Sequence, residues 1–168
     1  MWKYTGNERP AFAKQTSADQ ESVWDYPRPP ALVPDTRHVK VSTNGKLIAS
    51  SPRTLRMLET AAPPTFYLPK EDVDLASLRE ISGQSFCEWK GVARYWALAD
   101  GERAVAWDYP NPSRAYGKIL GHFAFYPGRV DCFVDAESVR PQTSEFYGGW
   151  ITDEIVGPFK GEPGTGNW

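Results

Sequence analysis

The side chains with the most chemistry in this sequence crowd into one stretch, Ser-Phe-Cys-Glu-Trp-Lys-Gly-Val-Ala-Arg-Tyr-Trp, from Ser85 to Trp96. It sets four aromatic rings, a thiol, a carboxylate and two cations around a single glycine. Cys87 is the sharpest candidate. The thiolate is the attacking species, and a cation such as Lys90 curled toward it would lower its pKa. The plainer reading is a small buried hydrophobe, and Cys132, in the middle of an expected strand, takes that reading as core. His122, beside Gly121 in an aromatic strand, could serve as a general base or ligand. With no spaced partner, a hydrogen-bonded structural histidine is the plainer account. His38 opens a hairpin and is expected to be exposed. Glu59, just ahead of Pro63-Pro64, could aim its carboxylate into a pocket and pair with Lys90 or Arg94, or could lie with Arg53 on a solvated helix face.

These groups need a scaffold. Read as one strand from Phe86 to Leu98, alternation sends Phe86, Glu88, Lys90, Val92, Arg94 and Trp96 to one face. Cys87, Trp89, Gly91, Ala93, Tyr95 and Ala97 take the other, which puts Lys90 opposite Cys87. Gly91 and Ala93 then leave room between Trp89 and Tyr95, a ring-flanked gap that suits a small ligand. The alternative is that another side chain fills the gap. A bulge at Gly91 would invert the faces beyond it. Tyr67, Trp107 and Tyr109 either line the same cavity or supply the large core that the composition demands.

Asn44-Gly45 provides the two positive-φ positions of a tight turn, so Arg37–Ser50 is expected to form a hairpin. Ser51 and Pro52 open a short helix carrying Leu55, Met57 and Leu58. Thr65–Leu68 is a strand, and Asp72 or Asp74 caps a second short helix with Leu75 and Leu78. Asp100-Gly101 turns the central strand back into Ala104–Tyr109. Pro127-Gly128 joins Ile119–Tyr126 to Arg129–Val134 as a third hairpin. Residues 1–20 read as an arm, ordered only if Trp2 or Tyr4 docks. Trp24-Asp25-Tyr26-Pro27 is echoed at Trp107-Asp108-Tyr109-Pro110, which would make two aromatic-proline straps on opposite sides of one cavity. The expected organisation is an arm (1–20), a β-rich core (21–140) and a glycine- and aromatic-rich strap (141–168).

With 15 prolines and 14 glycines among 168 residues, long helices are ruled out. Turns at this density, together with rings, favour short strands. The expected fold is mainly β: a single-domain, curved antiparallel sheet, barrel-like, with two short helices. A net charge of −2 offers no general attraction to nucleic acid or an anionic membrane. No apolar run approaches the roughly 20 residues of a membrane span, and the first residues lack the apolar stretch of a signal peptide. Two cysteines are too few for a disulfide scaffold, so a reduced, cytoplasmic protein is expected.

Five motifs in order carry a resemblance: Val-x-x-Asn-Gly-x-x-Ile-Ala-x-Ser (Val41–Ser51); Leu58-Glu59 before Pro63-Pro64-Thr65-Phe66-Tyr67; Cys-Glu-Trp-Lys-Gly-x-Ala-x-Tyr (Cys87–Tyr95); Ala106-Trp107-x-Tyr109-Pro110; and Gly121-x-Phe123-Ala124-Phe125. Over Trp24–Asp135 the chain resembles the domain of unknown function 427 family. Its tail, Tyr147-Gly-Gly-Trp-Ile-Thr through Gly157-Pro-Phe-Lys-Gly, is similar to that of extended bacterial and fungal members. The resemblance implies a compact β-tent, similar in topology to methionine sulfoxide reductase B and the Mss4 group. Those relatives often hold zinc with paired Cys-x-x-Cys knuckles; this chain has none, so no metal and no cofactor are expected. A nucleotidyltransferase-like label travels with the family. Nucleotidyl transfer needs carboxylates spaced for divalent metal and a donor-rich phosphate loop, and neither Asp-x-Asp nor a Gly-x-x-x-x-Gly-Lys-Ser/Thr loop is present.

Three functions compete. The first is a small-molecule-binding β domain with Glu59, Tyr67, Trp89, Lys90, Tyr95, Trp107 and Tyr109 around the ligand. The second is a thiol enzyme using Cys87, with Glu59 and His122 as further catalytic candidates. The third is a protein-interaction module, in which Trp150, Phe159 and Trp168 of the tail form either a strap or the surface of a homodimer.

Overall fold

In the computed structural model, which describes all 168 residues, Asn44 and Gly45 take φ of 48° and 77°. That is the turn their side chains predict. In chain order the first strands are β1 (Glu21–Ser22), β2 (Ala31–Asp35), β3 (Val39–Thr43), β4 (Lys46–Ser51), β5 (Thr54–Leu58), β6 (Thr65–Pro69) and β7 (Leu78–Cys87). They continue with β8 (Gly91–Leu98), β9 (Ala104–Asp108), β10 (His122–Phe125), β11 (Asp131–Val134), β12 (Glu137–Ser138), β13 (Arg140–Pro141), β14 (Trp150–Ile151) and β15 (Ile155–Val156). Helix is confined to short 3₁₀ turns such as Val23–Asp25, Leu75–Ser77 and Arg114–Ile119.

The protein is mainly β. One antiparallel sheet of seven strands runs β2-β5-β6-β10-β9-β8-β7 and stays open at both ends, so no barrel closes. A four-stranded sheet, β12-β11-β3-β4, lies against it. Alternation sorts the side chains of the large sheet. Phe66, Leu68, Val105, Phe123 and Phe125 join Val39, Val41, Ile48 and Val134 of the small sheet in one buried cluster. Tyr67, Ala124 and Tyr126, their neighbours in sequence, point the other way and join Met57, Ala93 and Trp107 in a second. A fully buried ring such as Phe125 contributes about 1.5–3 kcal/mol to this arrangement. The large sheet is thus apolar on both faces, one packed on the small sheet and one on the cavity described below.

Three expected elements are corrected. The segment after Ser51 is strand β5, paired with β2 and β6, and not a helix. Leu55 and Met57, two apart, both face the cavity-side cluster. Arg56 between them reaches Glu21 and Asp35. The period was two, and the apolar Leu58 beyond it mimicked a helical spacing. The second helix is a single 3₁₀ turn, Leu75–Ser77, with the Ser77 hydroxyl donating to Asp74 (2.5 Å); Leu78 already belongs to β7. The third hairpin does not form. Both edges of β10 are taken by β6 and β9, so the turn at Pro127-Gly128 carries the chain to the small sheet, where β11 pairs with β3.

The ends of the chain fold onto the sheets. Trp150 stacks on Phe66 (4.8 Å between centroids) and donates its indole N–H to the Phe125 carbonyl (3.0 Å). Trp168 and Tyr4 both meet the buried Trp24, each at 5.1 Å. Trp24 therefore closes a separate cluster with Val23, Tyr26, Ala61 and Ile155. Of the two Trp-Asp-Tyr-Pro segments, only the second borders the cavity. No helix is long and apolar enough to cross a membrane.

Candidate functional site

The chemistry-rich stretch is a hairpin, not a single strand. Strand β7 ends at Cys87 and β8 begins opposite it at Gly91, so Glu88, Trp89 and Lys90 form the connection. Gly91 takes φ of +104°, the left-handed position a three-residue connection needs. Its role is the turn; the open space lies instead beyond Ala93. The reversal also brings Lys90 round to the same side as Cys87, overturning the opposite-face assignment that unbroken alternation gave. Ser113 pins the connection. Its backbone N–H donates to Lys90 O (3.0 Å) and its hydroxyl to Trp89 O (2.6 Å).

Behind the large sheet sits a cavity of about 380 Å³. All seven residues read from the sequence as ligand-binding border it: Glu59, Tyr67, Trp89, Lys90, Tyr95, Trp107 and Tyr109. Cys87, at the end of β7, borders it too. Tyr67 comes from β6, Ala93 and Tyr95 from β8, and Trp107 from β9, where Trp107 packs on Tyr126 at 4.6 Å. The Tyr95 hydroxyl shares a 2.6 Å hydrogen bond with Ser85 across the hairpin. Burial pushes the Tyr67, Tyr109 and Tyr126 hydroxyls above the ordinary phenol value, so all three stay neutral donors at physiological pH.

His122 is not part of the site. It does not border the cavity, and its Nδ1 lies 3.1 Å from the Leu120 carbonyl. Cys132 is buried in the inter-sheet core, where desolvation pushes its thiol far up. His38 is held by Ser50 (2.6 Å). Arg53 pairs with Asp72, away from Glu59.

Sequence reasoning missed several walls. Trp2, Arg28, Tyr147, Gly148, Gly149 and Lys160 all border the cavity, drawn from the two ends of the chain. The Arg28 guanidinium is buried and fully used: it donates to Glu59 (3.2 Å), the Tyr4 carbonyl (2.7 Å) and the Thr60 carbonyl (2.9 Å). The Trp2 ring lies between Arg28 (4.2 Å) and Lys160 (4.0 Å), and its indole N–H donates to Glu88 (2.6 Å). Gln142 holds the tail in register, donating to Lys160 O (2.5 Å) and accepting from Gly149 N (3.0 Å). The one signal for these walls was compositional, rings and a lysine in glycine-rich sequence.

Two cations in the cavity have no carboxylate partner. Lys90 is 9% exposed and Lys160 5% exposed, and neither takes part in an ion pair. Each instead faces a ring, Lys90 that of Tyr109 (5.7 Å) and Lys160 those of Trp2 and Tyr147 (4.0 and 5.2 Å). Desolvation works against the Lys90 ammonium, but Tyr67, Cys87 and Glu59 around it more than offset this and hold it above the ordinary lysine value. For Lys160 burial wins, assisted by Arg28, and its pKa falls to about 8. Counting Arg28, Lys90 and Lys160 against Glu59 and Glu88, the cavity wall carries one excess positive charge.

An open antiparallel sheet with a ring-lined cavity on its outer face defines the molecule as a β protein. Residues 31–136 match the family described as "Domain of unknown function (DUF427)", and the chain belongs to that family. No curated protein matches the chain.

Proposed function

We propose that the protein is a small-molecule-binding β domain whose ligand, a molecule with a planar apolar portion, occupies the cavity behind the large sheet. The observation that carries this is the meeting of Tyr67, Trp89, Tyr95, Trp107 and Tyr109 around open space, where ordinary core packing would have left none. Lys90 and Glu59 supply its polar ends. Cys87 and Cys132 are both unpaired, in keeping with a reducing, cytoplasmic setting. The test is quenching of tryptophan fluorescence by a metabolite library. Trp89→Ala and Trp107→Ala should each weaken the hits roughly tenfold or more; unchanged affinities in both variants would refute this site.

A second reading has one specific support. The Cys87 thiol and the Lys90 ammonium border the same cavity, which sets a candidate nucleophile and a cation on one wall. Iodoacetamide labelling followed from neutral to alkaline pH separates the two. A labelling rate that climbs only through the ordinary thiol pKa of about 8.5 removes the enzyme reading.

A further inference from the structure

We propose that the cavity recognises its ligand by an oxyanion, a carboxylate or phosphate on the planar body, drawn to the ammoniums of Lys90 and Lys160 on its wall. This rests on the binding reading above and names the ligand's class. Lys90 reaches the cavity from the β7–β8 connection, and Lys160 from the C-terminal tail, so two unrelated segments each deliver an ammonium to the same space. A buried ammonium is costly unless paired. Here two such amines border one cavity, with no carboxylate bonded to either and the nearest acids already engaged, Glu59 by Arg28 and Glu88 by Trp2.

The rings beside the two amines sharpen the point. A ring face holds a cation in place without neutralising it, so Tyr109 and Trp2 position the charges and leave their donors free. The neutral tyrosines of the wall add O–H donors and no competing anion. The wall's two carboxylates, Glu59 and Glu88, already accept from Arg28 and Trp2, so the cavity is short of free acceptors and has one anion fewer than its three cations. An oxyanion provides both, through charge-assisted hydrogen bonds that are about twice as strong as neutral ones, while the rings hold the planar portion.

The test compares two probes of one shape, 1-naphthoate and 1-naphthamide, by tryptophan quenching and calorimetry on the full chain at neutral pH. The anion should bind roughly tenfold or more tightly, and Lys90→Met and Lys160→Met should each erase most of that preference while leaving the amide's affinity unchanged. Retained amide binding also certifies the fold of each variant; Lys90→Gln replaces Lys90→Met should the latter not fold. Equal binding of the two probes, or a preference that survives both substitutions, overturns the oxyanion inference and leaves the binding reading standing. Binding of neither probe overturns both.

Discussion

Replacing Lys160 by methionine should make the ligand-free protein more stable, an outcome opposite to that of most substitutions of a buried residue. Burial and the nearby Arg28 pull the Lys160 pKa from 10.5 to about 8. At about 1.4 kcal/mol per pK unit, complete desolvation would charge the folded state roughly 3 kcal/mol for keeping this ammonium. The amine borders the cavity, and water reaching it there screens the charge, reducing the figure to about 1.5–2 kcal/mol. Methionine forfeits the cation–π contact with Trp2 at 4.0 Å, about 0.5–1 kcal/mol. A net gain of about 1 kcal/mol remains, or roughly 2–4 °C in melting temperature for a chain of this size. The sign depends on pH. The unfolded chain keeps the proton up to 10.5 and the folded one only to about 8, so wild type gains stability across that window. The variant's advantage is therefore full below the lower value and gone above the upper. The charged groups that act on Lys160 are Arg28, Glu59 and Glu88, and burial raises the nearby Tyr147 phenol. Calorimetric melting of both proteins from neutral to alkaline pH provides the check. A variant less stable at neutral pH, or an advantage that does not vary with pH, would refute the reasoning.

Two further outcomes follow from the geometry. A Cβ at Gly148 would stand 2.5 and 2.8 Å from ring atoms of Trp107 and 3.1 Å from Tyr126. Gly148→Ala should therefore cost about 1–3 kcal/mol in urea denaturation, whereas Gly166→Ala, with nothing within 4 Å, should be neutral. Burial raises the Asp35 carboxyl, but hydrogen bonds from Arg37 and the charge of Arg56 more than compensate and hold it below the ordinary 3.8. The stability this carboxylate lends is present above that value and is lost as pH falls through the lowered one. Asp35→Asn should cost about 1–3 kcal/mol at neutral pH and flatten the acid limb of a pH-stability curve, read from urea midpoints.

The mainly β architecture was legible because its signals are local. Asn44-Gly45 fixes a turn by backbone conformation alone, and the 15 prolines exclude long helices whatever the tertiary context. For Tyr67, Trp107 and Tyr109 the sequence left cavity wall and core both open; in the folded chain period-two alternation along β6 separates Tyr67 from Phe66 and Leu68. What failed was pairing. Whether Ile119–Tyr126 joins Arg129–Val134 depends on which edges of β10 other strands already occupy, and nothing within the two segments records that. Lys90 failed for a subtler cause. Gly91 was seen as a place where the pleat could break, but a three-residue connection there reverses the chain and redirects Lys90 toward Cys87.

The division of the cavity between matched and unmatched sequence bears on what the family shares. Within residues 31–136 lie Glu59, Tyr67, Cys87, Trp89, Lys90, Tyr95, Trp107 and Tyr109, which supply the rings, the thiol and the first lysine. Outside that span lie Trp2, Arg28, Gly148 and Lys160. Arg28 engages Glu59, one of the matched part's two wall carboxylates beside Glu88, and Lys160 adds a second ammonium. The excess positive charge therefore originates in the terminal segments. The matched residues alone bring Glu59, Glu88 and Lys90 to the wall, one negative charge in excess. The arm and tail convert that wall into an enclosed, cationic one.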